Sequence, residues 1–390
     1  MLTVTSLMVA FVAFDRLAIG YLGPYLVKEF SLSNTSLGAL YSVQALAAAV
    51  GGYVAGMISD AKGWRKQIVA PCLVLMSICA VASSAARGFT MLLPIRFVMG
   101  GIEGPIAAIT QSIVSMQSST HRRGLNMGFL TLVMFLVSQM LSPIILTHLA
   151  DTWGWRAALL APAAPALLLA FASAMILKGG ATATTAAGSM AGSEPREDMG
   201  RNVWVCAAVS MTFMCWLVVH STFLPLYLVK VRGMAPTQMG FLMSALGVAG
   251  CVGGLIYPTL SDRIGRKATM LIAMGCSTLT PLGVLFFHGS APILAAILSI
   301  GWLSVGALPI YSVVIPGESV NPRQAATVIA MIMGAGELVG GVAGPLGAGW
   351  AADTLGLTTL FWFTAGAAVL CTGLSMLLLE SGWLARRPAT

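Results

Sequence analysis

Twelve times along this chain, twenty or more residues pass almost without a charge: 2–27, 35–58, 67–86, 91–116, 124–148 and 157–177, then 203–229, 237–260, 268–287, 291–316, 325–350 and 357–379. At 1.5 Å per residue, each run makes a helix of about 30 Å or more, the thickness of the hydrocarbon core of a bilayer. Lipid offers the backbone no hydrogen-bond partner, so each segment must pair its amides and carbonyls within its own helix. The chain is 57% hydrophobic and only 9% charged, against about 25% charged in soluble domains. These features exclude a soluble globular protein and predict an all-α membrane protein with 12 transmembrane helices. The net charge of +8 does not signal nucleic acid, because Lys and Arg lie singly or in short clusters between the apolar runs. The seven Cys form no CxxC and fall inside apolar runs, so they read as small packing residues, neither disulfides nor metal ligands. The first run has no basic segment before it and is too long for a signal peptide, so it reads as a retained helix.

The second half of the chain repeats the first. Shifted by 202 residues, Tyr25-Leu26-Val27-Lys28 falls on Tyr227-Leu228-Val229-Lys230, and Gly38, Ser42, Gly51 and Gly52 fall on Gly240, Ser244, Gly253 and Gly254. Ser59, Asp60 and Gly63 fall on Ser261, Asp262 and Gly265, and Pro143 and Ala150-Asp151-Thr152 on Pro345 and Ala352-Asp353-Thr354. Two pseudo-symmetric six-helix bundles in the same orientation follow, the layout of parallel-repeat transporters that bind substrate near the midplane between the bundles. The expected domains are 1–178, a linker at 179–202 rich in Ala, Thr, Gly and Ser, 203–380, and a tail at 381–390. With the N-terminus inside, fourteen Lys and Arg fall in inner loops or the tail and five in outer loops. The positive-inside rule therefore puts both termini in the cytoplasm and the chain, as a multi-pass protein, in the plasma (inner) membrane.

Charges inside the runs carry the chemistry. Asp15 and Arg16 lie about 20 Å from either end of the first run, near the midplane. A charge there costs roughly 2.5–3.5 kcal/mol on insertion scales, so it faces a lined cavity or a partner. Neighbouring helix positions point about 100° apart, so Asp15 and Arg16 do not face each other and each needs a partner elsewhere. Arg96 and Glu103 share a face of the fourth span but sit about 10 Å apart along its axis, too far to pair. At the 202 offset the partners of Asp15, Arg16, Arg96 and Glu103 are Leu217, Val218, Leu298 and Val305. Scaffold residues recur in both halves and these charges do not, which points to function. Glu337, among Gly334, Gly340, Gly341 and Gly344, reads as an interhelical hydrogen-bonder or gate element on a tightly packed face. Glu318 lies at the inner end of the tenth span and is expected to cap or latch near Arg323. His220 reads as an inert polar residue. Tyr21, Tyr25, Gln44, Gln111 and Gln139 are candidate linings of a substrate cavity.

The loop after the second span reads Gly56-x3-Asp60-Ala61-Lys62-Gly63-Trp64-Arg65-Lys66, and its counterpart Pro258-x3-Asp262-Arg263-Ile264-Gly265-Arg266-Lys267. Both resemble the loop signature of the major facilitator superfamily, the second more closely than the first. The resemblance implies the major facilitator fold, alternating-access transport, and gating by Asp60, Gly63, Arg65, Lys66, Asp262, Arg263, Gly265, Arg266 and Lys267. Leu92-x3-Arg96-x3-Gly100 resembles the fourth-helix motif of the same superfamily, with Arg96 among the gate elements. Asp15-Arg16 together with Arg96-x6-Glu103 resembles one branch, the anion:cation symporters. That resemblance implies a proton-coupled symporter of small organic anions, with Asp15 and Glu103 as protonation sites and Arg16 as the contact for a substrate carboxylate. Arg stays charged when buried and meets a carboxylate with a two-pronged fork, so the assignment is physically sound. The second span, Tyr41 to Ala48, lacks the Gln-x-Pro-Gly-Gly usual in that branch, which leaves the substrate class open.

Two other readings remain. A proton-driven efflux antiporter of the same superfamily usually carries a glycine-rich fifth helix, which Phe135 to Pro143 does not provide. A non-transporting sensor is the other. An enzyme is not expected, since HExxH, Gly-x-Ser-x-Gly and phosphate-cradling loops are missing. No cofactor or metal is expected beyond protons as coupling ion. The expected partners are the lipid bilayer and a small anionic substrate, with the chain acting as a monomer.

Overall fold

The computed structural model describes residues 1–118, 122–176 and 200–381, without the side chains of residues 60, 123, 124, 322, 323 and 326. Most of the expected linker, nearly all of the tail and the side chains of Asp60 and Arg323 therefore lie outside the described residues. Twelve helices are long and apolar enough to span a membrane. They are α1 (Leu2–Phe30), α2 (Asn34–Ser59), α3 (Arg65–Ser84), α4 (Phe89–Gln117), α5 (Leu125–Trp153) and α6 (Trp155–Ile176), then α7 (Arg201–Lys230), α8 (Pro236–Ile264), α9 (Arg266–Phe286), α10 (Ala291–Ser319), α11 (Thr327–Leu355) and α12 (Thr359–Met376). Among the described residues there is no strand. Each span matches one of the twelve apolar runs to within a few residues.

The turns repeat as the helices do. The residues with positive φ are Ser31 (49°), Gly63 (69°), Gly154 (85°), Gly233 (67°), Gly265 (100°) and Gly356 (89°). They form three pairs at the 202 offset. Glycine adopts this backbone freely, and among the described residues only at Ser31 does a side chain occupy it, so both halves turn their corners by the same geometry. Ser33 caps α2 by accepting the Ser36 amide at 3.0 Å.

The seam between α1–α6 and α7–α12 is built twice over by the same repeat. Ser42 Oγ donates to the Val342 carbonyl at 2.6 Å, and its counterpart Ser244 Oγ donates to the Met140 carbonyl, also at 2.6 Å. Both acceptors lie in stretches wound as π-helix, Leu136–Leu141 in α5 and Glu337–Ala343 in α11. Pro143 and Pro345 follow at once. A proline removes one helix donor, and local π winding with a neighbour's hydroxyl re-satisfies the backbone it disturbs. Gly38 and Gly240 complete the contact: a Cβ on Gly38 would strike the Pro345 carbonyl, and one on Gly240 would strike Thr147 and the Pro143 carbonyl.

These contacts lie in the half of the helices nearer the Ser31 turn. On the half nearer Met1, Gly56 of α2, Gly128 of α5, Gly254 of α8 and Gly334 of α11 have nothing within 4 Å of a built Cβ. The contacts of α2 and α8 with the opposite bundle gather on residues 337–355 of α11 and 136–153 of α5 and thin out toward the Met1 ends of those helices, so the seam is closed at the Ser31 face and parted toward the Met1 face.

One latch on the closed face is not duplicated. Asp353 accepts the backbone amides of Asn34 and Thr35, each at 2.8 Å, together with Asn34 Nδ2 at 2.8 Å and Thr35 Oγ1 at 2.6 Å. A carboxylate at a helix N-terminus meets both the free amides and the positive end of the helix dipole. At the 202 offset Asn34 becomes Pro236, which has no N–H, and Asp151 instead accepts the Tyr25 hydroxyl at 2.5 Å. We expect Asp353→Ala to speed amide exchange in the first turn of α2 by about tenfold, the loss of one charge-assisted bond, while exchange in the middle of α4 stays unchanged. Hydrogen–deuterium exchange of the purified protein measures both.

Candidate functional site

Asp15 and Arg16 sit midway along α1 and part company there. Asp15 turns into its own bundle, where Arg96 Nη1 donates to Asp15 Oδ2 at 2.8 Å. Both side chains are 0% exposed. Glu103, midway along α4, is also buried and accepts both of its bonds from one amide, Gln44 Nε2, at 3.1 and 3.0 Å. It lies within electrostatic reach of Asp15, Arg16 and Arg96. Gly100 brings α4 onto α2, since a Cβ there would strike the Gln44 carbonyl, and so places the amide against the acid one turn on. As the residue spacing requires, Arg96 and Glu103 do not pair with each other, and each of Asp15 and Arg16 finds a partner on another helix.

The cluster is short of hydrogen bonds. Asp15 Oδ1, Arg96 Nε and Nη2, Thr110 Oγ1 and Tyr41 Oη are buried with no partner among the described residues. A guanidinium carries five N–H donors, and this one directs one bond at a carboxylate. Buried polar atoms are ordinarily satisfied, so an array of this kind is suited to exchanging protons or polar contacts. Tyr41 lies within electrostatic reach of Arg16, Glu103, Arg96 and Glu337, and its buried hydroxyl has no partner among the described residues. Sequence reasoning missed it: a tyrosine in an apolar run has no pattern that marks it, and only the unfilled hydroxyl does.

Arg16 turns the other way, into the seam, and its Nη2 donates to Glu337 Oε1 of α11. This pair joins the two bundles at mid-membrane. Its side chains are 30% and 26% exposed, where Arg96 and Asp15 are sealed. One charged pair is thus internal to a bundle, and the other lies open between bundles.

The remaining candidates divide by position. Tyr21 is buried on α1 within reach of Tyr41. Tyr25 lies at the closed face on Asp151, away from the charges. Gln139 gives its carbonyl to the seam, against Gly247. Gln111 is exposed on α4, two turns from Glu103 toward the Met1 face. His220 sits in an aromatic core, 4.6 Å from the Trp216 ring and 6.1 Å from Trp302, and its Nδ1–H donates to the Trp216 carbonyl at 2.8 Å.

In the Met1-face loops Glu318 accepts from Arg266, which donates from Nη2 at 2.9 Å and from Nε at 3.3 Å; the side chain of Arg323, its expected neighbour, lies outside the described residues. Arg266 Nη1 also reaches Asp262 at 2.5 Å and Ser261 at 3.0 Å, and Glu380 accepts the Arg266 and Lys267 amides at the start of α9. These bonds stay within the second bundle. In the first, Trp64 stands where the repeat has Arg266, with Lys62 over its ring at 4.4 Å. Gly63 and Gly265 follow α2, whose helix runs on to Lys62, and α8, each N–H returning to a serine carbonyl, Ser59 and Ser261. Arg65 and Arg266 begin α3 and α9, Lys66 and Lys267 follow in their first turns, and Arg263 is exposed in the last turn of α8.

Two pseudo-symmetric bundles with a charged seam at mid-membrane define a polytopic membrane protein. The chain belongs to the Major Facilitator Superfamily, whose family model matches residues 5–336. It is 24% identical over 274 residues to a probable sulfoacetate transporter of Cupriavidus necator, covering 66% of this chain and 63% of that protein. It is 24% identical over 418 aligned positions to a gallate transporter of Pseudomonas putida, covering 95% and 91%. A multidrug resistance protein of Proteus mirabilis is 23% identical over 348 residues, covering 87% and 84%. The match thus spans under two thirds of the sulfoacetate carrier and most of the other two. Among solved structures, a D-xylose-proton symporter superposes with a TM-score of 0.76 at 17% identity, covering 96% of each chain. That likeness concerns the fold.

Proposed function

We propose that this chain is a secondary active transporter that takes up small organic anions bearing a carboxylate, by proton symport and alternating access. The observation that carries the reading is Arg16, a fixed cation at mid-membrane, open to the seam and already engaged with a carboxylate group. Sulfoacetate, gallate, tartrate and hexuronate, the cargoes in the names of similar carriers, share an acidic group of the kind this guanidinium binds. Asp15 and Glu103 are the proposed proton carriers. Protonation of Asp15 would free Arg96, and Glu103 faces a single neutral amide that tolerates either form. With the Met1 face in the cytoplasm of the inner membrane, the closed Ser31 face is the outer gate and the structure is inward-open. The chain acts alone, with its bundles, 1–178 and 203–380, as the moving bodies.

The test is uptake of sulfoacetate, gallate and tartrate by proteoliposomes under an imposed pH gradient. Saturable uptake stimulated by an inward proton gradient supports symport. Extrusion driven by that gradient supports the efflux-antiport alternative and overturns this reading.

A further inference from the structure

The pair at the seam raises a question of occupancy. Arg16, the proposed substrate contact, holds Glu337, a carboxylate supplied by the other bundle. An incoming anion and Glu337 are the same chemical group directed at the same fork. We propose that Glu337 is an internal stand-in for the substrate carboxylate, occupying Arg16 until an anion displaces it and thereby setting the affinity of the site. The proposal rests on the carboxylate reading above.

Four features support exchange over permanent pairing. The pair is 30% and 26% exposed, so a displaced Glu337 keeps solvation that the sealed Asp15–Arg96 pair lacks. Glu337 opens the π-wound stretch Glu337–Ala343, and π-bulges are frequent at functional sites in helices. One turn on, Gly341 leaves bare the place its Cβ would fill, which is 2.9 Å from the Glu337 carboxyl carbon, so no side chain there confines the acid. At the 202 offset Glu337 becomes Phe135, so the fold does not require an acid at this position. Because the stand-in comes from the opposite bundle, its displacement also breaks the mid-membrane tie between α1 and α11. Binding and release of that tie become one event.

The experiment is isothermal titration of full-length protein in detergent at pH 8 with sulfoacetate, gallate and tartrate. Glu337→Gln keeps the shape and removes the competing charge, and Glu337→Ala removes the side chain in case the first variant misfolds. Thermal melting reports folding for each. We expect both variants to bind the probe about tenfold or more tightly than the wild type, the scale of one charge-assisted contact no longer competing. Arg16→Ala/Glu337→Gln should bind none. A folded Glu337→Gln or Glu337→Ala that binds the wild-type probe equally or more weakly overturns the proposal and leaves the carboxylate reading standing. Absence of binding to wild type and both variants overturns that reading, and the proposal with it.

Discussion

Arg16→Ala is expected to weaken carboxylate binding by on the order of a hundredfold or more and to abolish uptake, while the protein still folds. Truncating one partner of a hydrogen-bonded charge pair costs about 2–5 kcal/mol of binding, and the other cation of α1, Lys28, lies exposed in its last turn, far from the midplane. Folding survives because the partner left behind, Glu337, is 26% exposed and keeps contact with water. Arg96→Ala is the contrast. It strands Asp15 at 0% exposure, and breaking a sealed pair destabilises by about 3–5 kcal/mol. Arg16→Lys should recover part of the binding, since it restores the charge but not the planar fork. Titration with the same carboxylates, beside thermal melts of each variant, separates the two arginines. Undiminished binding in folded Arg16→Ala removes it from the site.

The reason one arginine faces water and the other does not was only half legible in the sequence. That Asp15 and Arg16 must diverge follows from helix geometry alone. The partner of Asp15 was visible as a polar stripe in the fourth span, and Glu337 stood out as an interhelical hydrogen-bonder in the eleventh, but nothing tied it to Arg16. Glu337 lies 321 residues away, without a repeat counterpart to announce it, on a glycine-rich face whose obvious explanation is packing. The seam shows the opposite case. Gly38, Ser42 and Pro143 recur as Gly240, Ser244 and Pro345, and the structure uses each pair twice in symmetry-related contacts. Self-similarity marks the scaffold, so residues that break it stand out, but it cannot say which of them meet.

Replacing either buried acid of the first bundle separates coupling from binding. We expect Glu103→Gln to abolish accumulation driven by an inward proton gradient while leaving exchange of labelled for unlabelled carboxylate across the membrane intact. The variant keeps the volume and one carbonyl acceptor for Gln44 Nε2, which now bonds both Glu103 oxygens, so its melting temperature should move little. A side chain that cannot gain or lose a proton cannot carry one, whereas exchange needs only a site that opens to each side in turn. Asp15→Asn should likewise lose gradient-driven uptake, but with a visible loss of stability. It leaves Arg96 buried beside a neutral amide, and an uncompensated charge at that depth is destabilising by about 3–5 kcal/mol. Asp15→Asn combined with Arg96→Gln should regain most of that stability and none of the coupling, because the double variant removes both charges and restores no proton carrier. Counterflow and gradient-driven uptake in the same proteoliposomes read the two functions side by side. Full gradient-driven accumulation in both Glu103→Gln and Asp15→Asn would move the proton to another residue, and loss of exchange along with accumulation would make these acids part of the binding site itself.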